Sequence, residues 1–187
     1  MELITEFDYE YHFPTAVALG TFDGVHLGHR AVIEAAVEAG RRCKLAPAVF
    51  TFSTLPKNAF LKDGERVWPL CSAREKEALL ASLGVDPVVM LPFDERISRI
   101  PAEEFIAEML IERLRARYIV CGIDHRFGAG AEGDAALIER ICKRRGLGFT
   151  FIEPVCMNGV KISSTLIRSL MEEGRIEDAR NMLGHGI

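Results

Sequence analysis

Ala16-Val17-Ala18-Leu19-Gly20-Thr21-Phe22-Asp23-Gly24-Val25-His26-Leu27-Gly28-His29 sets a short apolar run against a turn rich in glycine and histidine. The run has a β-branched residue inside it and reads as a buried strand, while Arg30 through Gly40 carries apolar residues at helical spacing. The unit is therefore strand, tight turn, helix. A helix that begins just past such a turn presents free backbone N–H groups and the positive end of its dipole, which is where a nucleotide phosphate is held. His26 and His29 sit three apart, a spacing that puts both imidazoles on one helical face and directs them at one anion, with Gly28 leaving room. A lone His-x-x-His would read as polar residues near a helix start. The Gly20-Thr21-Phe22-Asp23 string before it makes the phosphate reading the more specific one.

The same alternation continues outward. Leu3, Ile4 and Phe7 with Tyr9 and Tyr11 suggest an N-terminal strand or edge, and Leu45 to Phe52 a strand with a proline early in it. The long connection through Ser53, Pro56, Asn58 and Gly64 reads as a mobile flap. Ser72 with Glu75 three later is a capping box that opens a helix running to Gly84. Val85 to Leu91 gives the next strand, Pro101 opens a helix expected to end near Arg117, and Tyr118 to Cys121 is a strand. Ala135 to Arg145 is helical and Phe149 to Ile152 strand again. Strand and helix in turn imply an α/β fold: a Rossmann-like, doubly wound parallel sheet of about five strands with helices on both faces, in a single domain over 1–187. Ligands on such sheets bind at the carboxyl ends of the strands where strand order reverses.

Composition narrows the function classes. With 187 residues, 49% of them hydrophobic, the chain can bury one substantial core. No run approaches the ~20 apolar residues that span a bilayer, and Met1 to Glu6 lacks the basic-then-apolar order of a signal peptide, so a cytoplasmic protein without membrane contact is expected. A net charge of −4 offers no general attraction for nucleic acid, so an anionic ligand must meet a local positive cluster. The five cysteines are scattered without Cys-x-x-Cys spacing and read as reduced core thiols.

Such a cluster is offered by Lys161-Ile162-Ser163-Ser164-Thr165-Leu166-Ile167-Arg168. The three hydroxyl residues are natural N-caps. Arg168, read as lying in the first turn of an exposed helix start, faces the positive end of the dipole, a conflict that a bound anion removes. Arg168 would then pair phosphate oxygens while Ser163, Ser164 and Thr165 donate hydrogen bonds. A third stretch, Gly122-Ile123-Asp124-His125-Arg126-Phe127-Gly128 with Gly133-Asp134 after it, reads as a glycine-rich loop at a strand end.

The histidine turn resembles the first signature of the nucleotidyltransferases that carry a His-x-Gly-His motif, and Ile162-Ser163-Ser164-Thr165-x-Ile167-Arg168 resembles their second. The third stretch is similar to the Gly-x-Asp-Phe-x-Phe-Gly motif of the adenylyltransferase module of bacterial FAD synthetases, and the likeness covers nearly the whole chain. Three departures accompany it. His125 stands where that family has Phe, Ser53-Thr54-Leu55-Pro56 stands where it has Asp-Pro-His-Pro, and the chain ends at Ile187, where the bifunctional proteins pass into a riboflavin kinase, so no kinase activity is expected.

The resemblance implies an enzyme with ATP and FMN as substrates, an FMN phosphate oxygen attacking the α-phosphorus and pyrophosphate leaving. His26, His29 and Arg168 are the implied catalytic residues. Gly20, Thr21, Phe22, Asp23, Gly28, Gly122, Asp124, Arg126, Phe127, Ser163, Ser164 and Thr165 would bind the nucleotide, with Ser53 and His125 on the flavin side. Mg2+ would travel with ATP, held by its phosphates and water, and no metal-binding residue is assigned. Two other readings stay open: a transferase acting on another phosphorylated acceptor, and a nucleotide- or flavin-binding regulator without turnover.

Overall fold

The computed structural model describes residues 1–61 and 65–186; Gly64 of the flap and Ile187 at the chain's end lie outside the described residues. Its strands are β1 (Leu3–Ile4), β2 (Thr15–Leu19), β3 (Ala46–Phe52), β4 (Val88–Leu91), β5 (Ala116–Gly122) and β6 (Gly148–Ile152). They form one six-stranded sheet in the order β1-β4-β3-β2-β5-β6, and every neighbouring pair is parallel. The sheet has one strand more than the periodicity suggested. The additional strand is the expected N-terminal strand or edge: β1 holds only Leu3 and Ile4 of that stretch, in register with Val88 and Val89. Tyr9, expected to share in it, instead donates its hydroxyl to Met109 O at 2.6 Å.

Alternate strand residues feed two cores, as the period of two requires. Val17, Leu19, Phe50, Leu91 and Ile119 pack on one face with Ile106, Met109, Leu110 and Ile138. Ala18, Val49, Met90 and Val120 pack on the other with Ile33, Ala36 and Leu80. Helices α1 (Leu27–Cys43) and α2 (Ala73–Ser82) thus cover one face. The other is covered by α4 (Ala102–Glu104), continued as a π-helical run over Phe105–Arg113, and by α5 (Ala135–Arg145), with the short α3 (Glu95–Ser98) before them. Burial on both faces explains why β2 is wholly buried and apolar from Ala16 to Leu19, the hydroxyl of Thr15 at its start donating to Leu114 O at 2.7 Å. A third cluster joins Ile162, Ile167, Leu170, Ala179 and Leu183, where α6 (Ser164–Glu172) packs on α7 (Ile176–Leu183) beyond a small antiparallel hairpin of β7 (Cys156–Met157) and β8 (Val160–Lys161).

Some boundaries differ from the sequence reading. The helix expected to reach Arg117 stops at Arg113, Arg115 takes a left-handed conformation (φ 58°), and Arg117 lies in β5 with its neighbours. The strand expected from Val85 starts at Val88, after Pro87, which has no N–H to give a ladder. Pro47 is tolerated inside β3 because pairing with β4 begins only at Val49. Of the thiols read as core residues, Cys121 and Cys142 are buried, whereas Cys43 and Cys156 are exposed.

From β2 the chain builds β3 and β4 on one side and β5 and β6 on the other. Strand order therefore reverses between β2 and β5, and the crevice at their carboxyl ends is where such a sheet binds ligands.

Candidate active site

Strand β2 leaves the sheet at Gly20, whose N–H donates to Phe50 O at 3.2 Å. The next turn is wound against the preference of its residues: Phe22 (φ 48°) and Val25 (φ 41°) are both left-handed, with Gly24 (φ 77°) between them. A β-branched residue at positive φ stores strain, and it persists only where neighbours over-determine it. The neighbours do so here. Asp23 accepts from Leu70 N at 2.9 Å and pairs with Arg168, Asp23 O accepts from Ser164 Oγ at 3.0 Å, and Gly24 O accepts from His185 Nε2 at 2.8 Å.

His26 is the N-cap of α1, its Nδ1 accepting from the His29 N–H at 3.2 Å. That bond leaves the ring proton of neutral His26 on Nε2. The two imidazoles do not stand side by side on a helical face; they stack with centroids 3.5 Å apart and planes 16° from parallel. Phe22 meets His29 edge-on at 5.4 Å. Burial lowers the pKa of His26 to about 4 and holds His29 well below the usual imidazole value, helped by the charges of His26 and Lys76. Both rings are neutral at pH 7, and His29 Nδ1 is buried with no partner among the described residues.

The second motif closes the same crevice. Ser163 caps α6 by accepting from Leu166 N at 3.2 Å, leaving the first N–H groups of the helix unpaired within it. Arg168 is not at an exposed helix start. It lies in the second turn of α6, 5% exposed, with Nε donating to Trp68 O at 2.8 Å, Nη1 to Ser164 O at 3.1 Å and Nη2 to the Asp23 carboxylate. The conflict with the helix dipole is thus met by Asp23, an anion of the chain's own, across 145 positions of sequence.

The third stretch leaves β5 at Gly122. Asp124 pairs with Lys161 of the hairpin, which pulls its carboxyl below the usual range. Arg126 Nη1 lies 3.6 Å from Asp134. His125 stacks on Phe127, centroids 6.0 Å apart, and burial lowers its pKa to about 4.

A polar cavity of about 500 Å3 gathers these groups. It is lined by Gly20, Thr21, Phe22, Asp23, His26, Gly28 and His29 from the turn, by Gly122, Asp124, His125 and Arg126 from the loop after β5, and by Ser163, Ser164, Thr165 and Arg168 of α6. Two expected residues fall elsewhere. Phe127 is absent from this lining because its ring turns to the other side of the loop, into an apolar cavity of about 250 Å3 with Phe52, Phe93, Phe105 and Ile97. Ser53, expected on the flavin side, lines neither cavity; it is exposed, its N–H held by Leu91 O at 2.9 Å as the chain leaves β3.

Other residues of the site had no role assigned from the sequence. Lys76, on the α2 face turned to the sheet, is 4% exposed and donates to Thr21 O at 2.9 Å and Phe52 O at 2.8 Å, tying the turn after β2 to the end of β3. Burial lowers its pKa. The capping box and the family resemblance pointed to its helix, but nothing local distinguishes this lysine from its solvated neighbours. Lys57 lines both cavities.

Residues 8–166 match the FAD synthetase family. This chain belongs to that family. It is 37% identical over 169 residues to the bifunctional riboflavin kinase/FMN adenylyltransferase of Escherichia coli K12, covering 90% of this chain and 54% of that protein. The FAD synthetase family member thus spans about half the length of that curated relative. It is 37% identical to a putative bifunctional riboflavin kinase/FMN adenylyltransferase of Geobacillus thermodenitrificans, covering 89% of it, and 34% identical to the FAD synthetase of Listeria monocytogenes, covering 68%. Among solved structures, a Streptococcus pneumoniae chain titled macrolide-efflux protein superposes with a TM-score of 0.87 at 28% identity, over 99% of this chain and 60% of that one. Among the described residues, no helix is long and apolar enough to cross a membrane.

Proposed function

We propose that this chain transfers AMP from ATP to FMN, giving FAD and pyrophosphate. One observation carries the reading: a cavity lined by His26, His29, Ser163, Ser164 and Arg168 opens beside an apolar cavity walled by Phe52, Phe93, Phe105 and Phe127, with Thr21, Lys57 and His125 common to both. A flat aromatic ring on a phosphate tether fits across that boundary.

In this reading a terminal oxygen of the FMN phosphate attacks the α-phosphorus of ATP, the bond from that phosphorus to the bridging oxygen breaks, and pyrophosphate leaves with the electron pair. The nucleophile is already an anion, so the protein's work is alignment and neutralisation of charge. His26 donates from Nε2 to the reacting phosphates, and the His29 ring, which lines the same cavity, donates beside it. The first N–H groups of α6, with Ser163, Ser164 and Thr165, hold the leaving pyrophosphate, and Arg168 adds the N–H groups its internal bonds leave over. Gly122, Asp124 and Arg126 lie where the adenosine would rest. Mg2+ enters as the partner of ATP. The donor set suits an ion carried by phosphates and water: the carboxylates of Asp23 and Asp124 are engaged by Arg168 and Lys161, and no three His, Cys, Asp or Glu side chains among the described residues gather as ligands.

The test is incubation with ATP, Mg2+ and FMN followed by chromatography for FAD and a pyrophosphate assay. Formation of both, with His29→Ala slowing turnover roughly 10²- to 10³-fold, is the expected result. No FAD from FMN, with adenylylation of a different phosphorylated acceptor, overturns it.

A further inference from the structure

Six residues line both cavities and so form the wall between them: Leu19, Thr21, Pro56, Lys57, His125 and Arg126. If the flavin ring occupies the apolar side and the α-phosphate of ATP the polar side, the acceptor's phosphate has to sit at this wall. Two of the six are cations. Arg126 is drawn toward Asp134, 3.6 Å away. Lys57 makes no hydrogen bond or ion pair among the described residues.

The surroundings of Lys57 favour a bound anion. Burial of its stem and the nearby Arg168 guanidinium both disfavour its charge, and Asp23, which opposes them, is already engaged by Arg168. A phosphate placed between the two cavities supplies the missing counter-charge. The backbone that carries Lys57 is also set in advance. Leu55 is buried, Pro56 opens the 3-10 turn Pro56–Phe60, and Asn58 clamps Val67 through both its N–H and its C=O at 2.9 and 2.7 Å. Lys57 follows directly on Ser53-Thr54-Leu55-Pro56, the stretch where the chain departs from the motif it resembles, and it brings to that place a charge that the stretch itself lacks.

We infer that Lys57 binds the terminal phosphate of the acceptor and is the residue by which this chain selects a phosphorylated flavin over the unphosphorylated one. The inference rests on the reading of the two cavities as ATP and flavin sites. Riboflavin shares the ring and ribityl chain of FMN and lacks only the phosphate, so the ratio of their dissociation constants isolates that group. Both are measured by flavin fluorescence, with and without a non-hydrolysable ATP analogue and Mg2+, for the parent, Lys57→Met and Lys57→Arg.

The parent should prefer FMN by about ten- to a hundredfold, the range of a hydrogen bond to a charged group. Lys57→Met should bring the ratio close to one by weakening FMN alone, leaving riboflavin binding and KM for ATP as they were. Lys57→Arg should keep most of the preference. A Lys57→Met protein that makes FAD and keeps the parent's ratio, or that loses ATP affinity in place of FMN affinity, overturns the assignment of Lys57 and leaves the adenylyltransferase reading standing. A parent that binds neither flavin and forms no FAD overturns both.

Discussion

Replacing Arg168 by Met tests whether the two phosphate motifs are joined by a buried ion pair or only share a cavity. The guanidinium and the Asp23 carboxylate are each about 6% exposed as side chains. Removing the guanidinium leaves the carboxylate out of water with the Leu70 N–H as its remaining donor, and takes the partners from Trp68 O and Ser164 O as well. Breaking a buried pair from one side costs about 3–5 kcal/mol, because the surviving charge is stranded. In a domain of this size each kcal/mol moves Tm by about 2–4 °C, so a fall of roughly 10 °C is expected without ligand. The sign matters as much as the size. A cation merely opposing a helix dipole would make the Met variant slightly more stable. The assay is urea unfolding with a thermal melt, on Asp23→Asn, Arg168→Met and the double variant. The double variant should be less damaged than the sum of the singles, since it strands no charge. An Arg168→Met protein that melts with the parent or above it, or singles that simply add, would refute the reasoning.

A Cβ on Gly28 would lie 3.1 Å from His26 Cε1 and 3.2 Å from Nδ1, so Gly28→Ala should push that ring off the His29 amide and lower kcat by about tenfold or more, while the melt holds because Ala favours the helix. Unchanged turnover would show that the ring position does not matter. Lys76→Met takes the ammonium donor from Phe52 O and leaves Thr21 O with the Thr51 hydroxyl alone, and should cost about 1–3 kcal/mol in urea unfolding; a variant as stable as the parent would remove Lys76 from the framework. The folded pKa of His26 lies at about 4, below the unfolded value near ~6.5, so between these limits the unfolded chain binds more protons and stability falls as pH drops from about 6.5 toward 4. Denaturant titrations at pH 7, 6 and 5 should show a shallower fall for His26→Asn than for the parent, and equal slopes would contradict the burial of that ring.

What the sequence disclosed and what it withheld divide by range. Helix α2 was legible because its capping box, Ser72 with Glu75, is local, and α5 because Asp134 caps one end and Gly146 (φ 67°) closes the other. The buried strands were legible because burial on both faces leaves an apolar run. Strand β1 was legible only at its start, since the expected N-terminal strand or edge ends after Leu3 and Ile4, where the register with Val88 and Val89 ends. The polar cavity was legible because its residues lie in short strings. Its supports were not: Arg168 finds Asp23 at a separation of 145, and Lys76 reaches Thr21 across 55 positions, so composition near either residue points to solvent. Ser53 misled because its place in the string suggested a contact, whereas the chain turns there to bond with Leu91.

The bonds that converge on Asp23 and Gly24, with Leu27 and Leu70 packed on the cluster of α6 and α7, couple that helix pair to the turn after β2. Ser164 and Arg168 from α6, and His185 just past α7, all end on that one turn, while the apolar cluster of α6 and α7 is separate from the two cores of the sheet. Local unfolding of the C-terminal helix pair therefore releases the bonds on Asp23 and Gly24. In hydrogen exchange the amides of α7 should report on ligand held many residues away: as ATP fills the cavity, their opening becomes rarer in proportion to its occupancy, although no atom of α7 lines that cavity.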